Sequence, residues 1–378
     1  MAEGLQKGKQ LLIISDTAMW RTPQGISVFE PALREVEYLS SIFERITWIG
    51  FNYGLTPLKN TKHSSISNID YILLPKAFGG SSIISKLRII KFLPKQLIII
   101  LSQIRIHKFI HTRGPSVPAL IAILVSYLLH HKKFWHKYAG NWVQKDSAWA
   151  YALQRYLLKH VNHKITVNGN WGEKNENIIS FENPTFSITE VAVAKAVGIE
   201  KNFNSRISIL FVGNLETTKG VHLVVQSIKN FSSDAIEKLV IVGDGTLRTV
   251  LKQEATKSLI PIVFTGHLNR MQLNELYSMC HIFVFPSFSE GFPKVLAEAC
   301  AFGCVPVTSN VSSIDQYIND SNGVLLKENT VDEITNNINK LLGNRNLLKR
   351  LSLEALKVAP KFTFERYVLR VEQDIFQL

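Results

Sequence analysis

Cysteine is nearly missing. The 378 residues hold three, Cys280, Cys300 and Cys304, with neither the density of a disulfide scaffold nor the spacing of zinc ligands. They read as reduced thiols of a core. Long hydrophobic runs are missing too: the most apolar stretch, ALIAILVSYLL at 119–129, falls well short of the roughly 20 residues that cross a bilayer, so it reads as a buried helix. MAEGLQKGKQLLIIS at the start offers no apolar segment that could serve as a secretion signal before a strand begins, which gives the expectation of a cytoplasmic protein. No low-complexity tract occurs, and with 46% hydrophobic and 19% charged residues wholesale disorder is excluded. No RNP-like aromatic pattern or familiar DNA-binding module is found, so a nucleic-acid partner is not expected.

Negative charge is the scarcer sign, 30 acidic against 43 basic residues, for a net +13. Such an excess points to an anionic partner, either a phosphorylated substrate or a membrane surface. One concentration is SKLRIIKFLPKQLIIILSQIRIHKF at 85–109, where Lys86, Arg88, Lys91, Lys95, Arg105 and Lys108 interleave with Ile, Leu and Phe. It is either a segment that lies on anionic lipid, on the inner face of the plasma membrane, or an internal helix whose lysines form its solvated face.

The length suits two α/β domains. Strand-like runs alternate with helix-length segments throughout, the pattern of parallel sheets with crossover helices. In the first half they fall at 10–16, 45–51, 71–75, 108–113, 133–138, 164–169 and 177–183, and in the second at 207–213, 238–245, 262–266, 281–287, 304–309 and 323–326. A proline-anchored turn and polar residues after 183 mark the boundary between domains 1–183 and 184–361. Ligands are expected at the carboxyl ends of the strands, in a cleft between two such domains.

The chemistry concentrates in PSFSEGFPKVLAEACAFGCVPVT at 286–308. A strand runs into a loop, Pro293 takes the first helical position, where no amide proton is needed, and Gly303 closes the helix. The amides of Gly291, Phe292, Lys294 and Val295 then lie at a helix N-terminus, unpaired and partly positive, with Glu290 just outside and Glu298 about a turn and a half inside. Carboxylates accept from vicinal hydroxyls and the amides face an anion, so the site suits a polyhydroxylated, anionic ligand.

EGFPKVLAE resembles the Glu-x7-Glu motif of family 4 retaining glycosyltransferases of the GT-B fold. The resemblance runs through the second half in order and spacing: LFVGNLETTKGVHLVVQSI, LVIVGDG, FTGHLNRMQLNELYSMCHIFVFPS, the Glu motif, and GVLLKENTVDEITNNINKLL. It implies two Rossmann-like, doubly wound parallel-sheet domains facing a central cleft, with the acceptor in the first and a terminal helix, 362–378, packing back on it. It implies transfer of a sugar from a nucleotide-diphosphate sugar, the co-substrate, to a glycan or lipid-linked acceptor, as in bacterial surface polysaccharide assembly, with no cofactor and no metal. No Asp-x-Asp pair occurs to hold an ion on a diphosphate, and His130, His131, His136, His160 and His163 lack ligand geometry.

By position, the resemblance assigns Glu298 to the ribose hydroxyls, Glu290 and the following amides to the transferred sugar, Lys219 to the diphosphate, and His267, mainly through backbone, to the base. Asn214 stands where the family often has an arginine, and Arg21 is a substitute cation. The loop DTAMWRTPQGIS occupies the family's glycine-rich position but holds only Gly25 where two glycines are usual. FIHTRGPSVPAL matches the family's histidine loop, so His111 or Arg113 faces the donor or else is packed. Trp142 and Trp171 stack on a sugar or belong to the core. A non-catalytic nucleotide-sugar-binding module of the same fold is the alternative, and a nicotinamide oxidoreductase lacks its glycine fingerprint, GDGTLR being the only near match.

Overall fold

The structure, a computed structural model, describes residues 9–57, 60–76, 83–144 and 148–378. The side chains of Lys86 and Arg88, among the cations read from the sequence, lie outside the described residues. Two units emerge, Met1–Glu182 with Glu365–Leu378, and Asn183–Phe364.

In the first unit the strands are β1 (Gln10–Thr22), β2 (Gly25–Phe29), β3 (Arg45–Asn52), β4 (Thr61–His63), β5 (Ile69–Pro75), β6 (Phe109–Gly114), β7 (Lys133–Tyr138), β8 (Lys164–Val167) and β9 (Ile178–Ser180). Its helices are α1 (Glu30–Leu39), α2 (Ile83–Ile106), α3 (Val117–Ser126) and α4 (Trp149–His160). A parallel sheet runs in the order β5-β3-β1-β6-β7-β8-β9. Alternation along β1 splits its side chains between two layers. Leu12 and Ile14 pack with Ile100 and Ile104 of α2 and Ile121 of α3, while Leu11 and Ile13 pack with Leu33 and Val36 of α1 and with Tyr367, Val371 and Phe376 from the end of the chain. Phe376 stands edge-on to Phe43, Phe109 and Trp135.

β1 overruns its expected end at residue 16. Its register against β3 shifts between Ile14 and Ala18, and the chain continues into a hairpin with β2, which in turn pairs β4. The segment expected to be a ligand loop is therefore a hairpin, whose turn takes Gly25 at φ +121°.

The second unit holds β10 (Ile207–Val212), β11 (Ile236–Val242), β12 (Ile262–Gly266), β13 (Ile282–Phe285), β14 (Val305–Ser309) and β15 (Val324–Leu326), with α5 (Ile188–Ile199), α6 (Val221–Ser227), α7 (Arg248–Ala255), α8 (Arg270–Met279), α9 (Lys294–Ala301), α10 (Val331–Gly343) and α11 (Arg345–Ala355). The sheet is wholly parallel in the order β12-β11-β10-β13-β14-β15. The strand order reverses between β10 and β13, the point in a doubly wound sheet where two loops leave in opposite directions and open a crevice. Each strand-like run read from the sequence forms a strand; β2 and β4 are additional. The three cysteines are buried.

His136 of β7 is buried between Thr112 Oγ1 at 2.9 Å and Ser126 Oγ at 3.2 Å, and burial pushes its ring from 6.5 down to about 3. The folded ring stays neutral while the unfolded ring takes a proton below pH 6.5. Its contribution to stability is therefore complete above pH 6.5 and is lost as pH falls, at about 1.4 kcal/mol per pH unit. We expect the unfolding transition of the first unit to move to lower denaturant between pH 6.5 and 5, and His136→Asn to flatten that slope. An unchanged slope would assign the acid sensitivity to other groups. All six tryptophans, Trp20, Trp48, Trp135, Trp142, Trp149 and Trp171, lie in the first unit, so tryptophan fluorescence reads it selectively.

Candidate functional site

The site grows from the two loops at the reversal point of the second sheet. After β10 the chain makes a single 3-10 turn, Thr217–Lys219, and leaves it through Gly220 at φ +68°. A Cβ on Gly220 would lie 2.1 Å from the carbonyl oxygen of Pro286, so only glycine lets the loop after β10 press against the loop after β13. Phe288 N donates to Thr218 O at 2.9 Å, and Ser287 Oγ lies 3.2 Å from the same oxygen.

This zipping brings Lys219 to Glu290. Nζ and Oε1 are 2.5 Å apart, with the side chains 26% and 11% exposed, and Ser287 Oγ stands 2.8 Å from the same Oε1. Ser287 itself is anchored, its carbonyl accepting from Ser309 Oγ at 2.6 Å and Asn329 Nδ2 at 3.2 Å. The carboxylate is thus aimed by two strands, with a cation within reach of any ligand that meets it.

Glu298 is set in α9 and held from α8. Tyr277 OH donates to Oε2 at 3.1 Å, and Arg270 Nη1 faces Oε1 at 3.8 Å. Burial, and then the Glu298 charge, hold the Tyr277 phenol well above its ordinary value, so it remains a donor. Arg270 is itself positioned by Glu190 at 3.2 Å, by Thr185 O at 3.0 Å and by the Phe186 ring beneath it at 4.7 Å. Sequence reasoning missed Arg270 and Tyr277. Asn269 and Gln272 form the capping box that opens α8 and place both on one helix, a local signal in NRMQLNELY that was available.

The start of α9 differs from expectation in two ways. Pro293 is the cap residue rather than the first helical one, at φ −74° and ψ 120°, and it makes no side-chain cap hydrogen bond. Phe292 is only 7% exposed, its ring stacked on Phe362 at 4.6 Å and edge-on to Tyr317 at 4.7 Å, so it belongs to the core and only its backbone faces the loop. Gly291, Lys294 and Val295 are partly exposed around it, and Ser313 Oγ fixes the Gly291 carbonyl at 3.2 Å. Asn214 is exposed after β10 and His267 after β12, beyond Gly266 at φ +74°. Beside them Asp244, hydrogen-bonded to Gly245 N and paired with Arg248, is held below its ordinary range, to which His267 also contributes.

The site residues read from the first half belong to the first unit. His111 does not lie in a loop: it sits within β6, fully buried, its ring stacked on Trp135 at 3.7 Å with Nδ1 3.3 Å from Trp135 O. Burial and the neighbouring Arg113 and Lys137 charges drive its pKa well below the ordinary value. Arg113 is committed to Glu35 of α1, through Nη1 at 2.7 Å and Nη2 at 3.2 Å. The same Glu35 Oε1 also accepts from Lys137 Nζ and Tyr367 OH, both at 2.6 Å. Arg21 is an exposed strand residue of the β1–β2 hairpin and Gly25 closes its turn, so neither lies in a glycine-rich loop. Trp142 is buried against Tyr138, while its Nε1 donates to Glu173 at 2.7 Å; Trp171 is half-buried, donating to Asn168 O.

Residues 196–358 match the family model described as Glycosyl transferases group 1. An uncharacterized glycosyltransferase of Methanocaldococcus jannaschii is 32% identical over 156 residues, which span 40% of this chain and 40% of that relative. The capsular polysaccharide biosynthesis glycosyltransferase CapM of Staphylococcus aureus is 27% identical over 169 residues, 43% of this chain and 44% of the relative. The chain therefore spans less than half the length of these curated relatives. Among solved structures, Anabaena HepE in complex with UDP and glucose aligns over 98% of this chain and 100% of its own at a TM-score of 0.70, with 14% identity. The fold is GT-B, and the segment that carries Lys219, Glu290 and Glu298 is the part of the chain that matches the group 1 glycosyltransferases.

Proposed function

We propose that the protein is a retaining, metal-independent glycosyltransferase that moves a sugar from a nucleotide-diphosphate sugar to a glycan or lipid-linked acceptor, at the cytoplasmic face of the membrane, in surface polysaccharide assembly. The observation that carries this reading is a pair of fixed carboxylates, Glu290 and Glu298, on either side of the start of α9 at the reversal point of the second sheet. CapM bears the name of a capsular polysaccharide enzyme, and the HepE structure holds UDP and glucose; both support the setting and the donor class.

In this reading Glu298, locked by Tyr277, takes the ribose hydroxyls. The α9 amides and Lys219 face the diphosphate, supplying positive charge where it builds on the leaving group. Lys219 and Glu290 neutralise each other in the free protein. A donor offers each a better partner, phosphate oxygens for Lys219 and sugar hydroxyls for Glu290. The bond from the anomeric carbon to the phosphate oxygen breaks, the acceptor oxygen attaches on the same face, and its proton passes to the departing phosphate. A second reading, a nucleotide-sugar-binding module without turnover, is favoured by one observation: His111 and Arg113 are committed to the interior of the first unit.

A thermal-shift screen against a panel of nucleotide sugars, followed by transfer and donor-hydrolysis assays on those that bind, tests both. Binding with neither transfer nor slow hydrolysis selects the module, and no binding removes both. Lys219→Ala is expected to weaken the sugar nucleotide roughly tenfold to a hundredfold, the worth of one charge-assisted hydrogen bond, while leaving the free nucleoside nearly unchanged. Equal losses for the two ligands would refute the diphosphate role.

A further inference from the structure

The positive charge of this chain is confined to one stretch. Between Tyr71 and Gly172 there are 15 Lys and Arg and a single acid, Asp146, which is +14 against +13 for the whole chain. The other 276 residues together carry −1. This stretch supplies α2, α3 and α4, which pack side by side on one face of the first sheet.

The outward side of that helical layer is apolar where a solvated one would be polar. Turning about 100° per residue, Leu87, Ile90, Ile98 and Leu101 of α2 fall within one stripe about 80° wide, with Lys91 and Lys95 along its border. All six are exposed, Ile90 and Ile98 by 66% and 70%. Lys132 Nζ donates to Arg105 O and His107 O, tying the turn that carries the exposed Leu128 to the end of α2. On α4, exposed Trp149, Leu153 and Tyr156 repeat at helical spacing. Ile100 and Ile104, about 80° to 120° around α2 from the centre of the stripe, are the side chains it buries in the core, so the exposed stripe is surplus to folding.

We infer that the outer face of α2, continued by α3 and α4, is a docking surface for an anionic lipid bilayer, into which the stripe inserts while Lys91, Lys95 and Arg105 meet the headgroups. The charge selects this occupant. A second copy would set two cationic fields against each other, and nucleic acid would answer the charges but leave the apolar stripe in water. Interfacial helices pair these two features, and tryptophan and tyrosine favour the headgroup level. The inference does not rest on the glycosyltransferase reading.

Sedimentation of the full chain with vesicles of equimolar phosphatidylglycerol and phosphatidylcholine, against phosphatidylcholine alone, tests it. The protein is expected to sediment with the anionic vesicles only. Lys91→Glu with Lys95→Glu should lower partitioning about a hundredfold. Ile98→Asn with Leu101→Asn should remove the binding that persists at high salt, where charge attraction is screened. Melting curves matching the parent's show that the variants fold; should either pair unfold, Lys91→Gln and Ile98→Ser carry the same comparison. Four results would each overturn the inference: no sedimentation, equal sedimentation with neutral vesicles, variants that bind like the parent, or a dimer that Ile98→Asn with Leu101→Asn dissociates. So would single-stranded RNA that displaces the protein from vesicles and binds the Ile98→Asn, Leu101→Asn protein undiminished.

Discussion

Glu298→Ala is expected to lose donor affinity by roughly a hundredfold to ten-thousandfold, because a carboxylate bonded to two hydroxyls contributes about 1.5–3 kcal/mol per hydrogen bond. The substitution does a second thing: it takes from the buried Tyr277 hydroxyl its 3.1 Å acceptor, leaving only Val295 O at 3.4 Å. Some loss of stability should follow, and it would confuse the result. Glu298→Gln separates the two effects, since an amide oxygen still accepts from Tyr277 while the charge opposite Arg270 is gone. A binding role predicts weakened donor affinity in both variants with near-parental melting for Glu298→Gln. If Glu298→Gln instead binds donor like the parent and only Glu298→Ala melts early, the side chain is a strut between α8 and α9 and the ribose assignment falls.

The largest effect on stability should come from a residue of the first unit. Glu35 is fully buried and takes Arg113, Lys137 and Tyr367 on one carboxylate. Removing the acid while both cations remain leaves buried charge uncompensated, a loss of about 3–5 kcal/mol where one partner of such a pair is deleted. Glu35→Gln should therefore shift the tryptophan-monitored transition of the first unit strongly toward lower denaturant. Tyr367→Phe, which removes one neutral donor, should cost only about 1 kcal/mol. If Glu35→Gln unfolds at the parent's midpoint, the network carries no stability, and the Arg113 guanidinium is freer for a ligand than its geometry implies.

These two sites also divide what the sequence could disclose. The arrangement around Glu290 and Glu298 was legible because its signals are local: a buried strand, an acid just before a Gly-Phe-Pro turn, and a second acid on the helix that follows. The strand runs were legible for the same reason. The Glu35 cluster draws on residues up to 332 positions apart, and no periodicity links Glu35, Arg113, Lys137 and Tyr367. Read one at a time, Arg113 and His111 resemble ligand residues; only the register of β6 against β7 sets His111 beside Trp135. The hairpin at Gly25 is hard to read because Thr-Pro-Gln-Gly announces a turn, while the short strands on either side lack a clean alternation. Phe292 shows the finest limit. The sequence located its backbone at the helix start, but whether the ring points to a ligand or to Phe362 depends on a residue 70 positions away.

The return of residues 365–378 to the first unit has a consequence for birth rather than for catalysis. A ribosome releases the amino-terminal sheet early, yet Tyr367, Val371 and Phe376 belong to its core and are translated only after the whole second unit. The later unit, contiguous from 183 to 364, can finish first, while the earlier one waits with an open apolar face for its closing piece. A nascent chain stalled near residue 360 should therefore be a preferred client for chaperones that cover exposed hydrophobic surface.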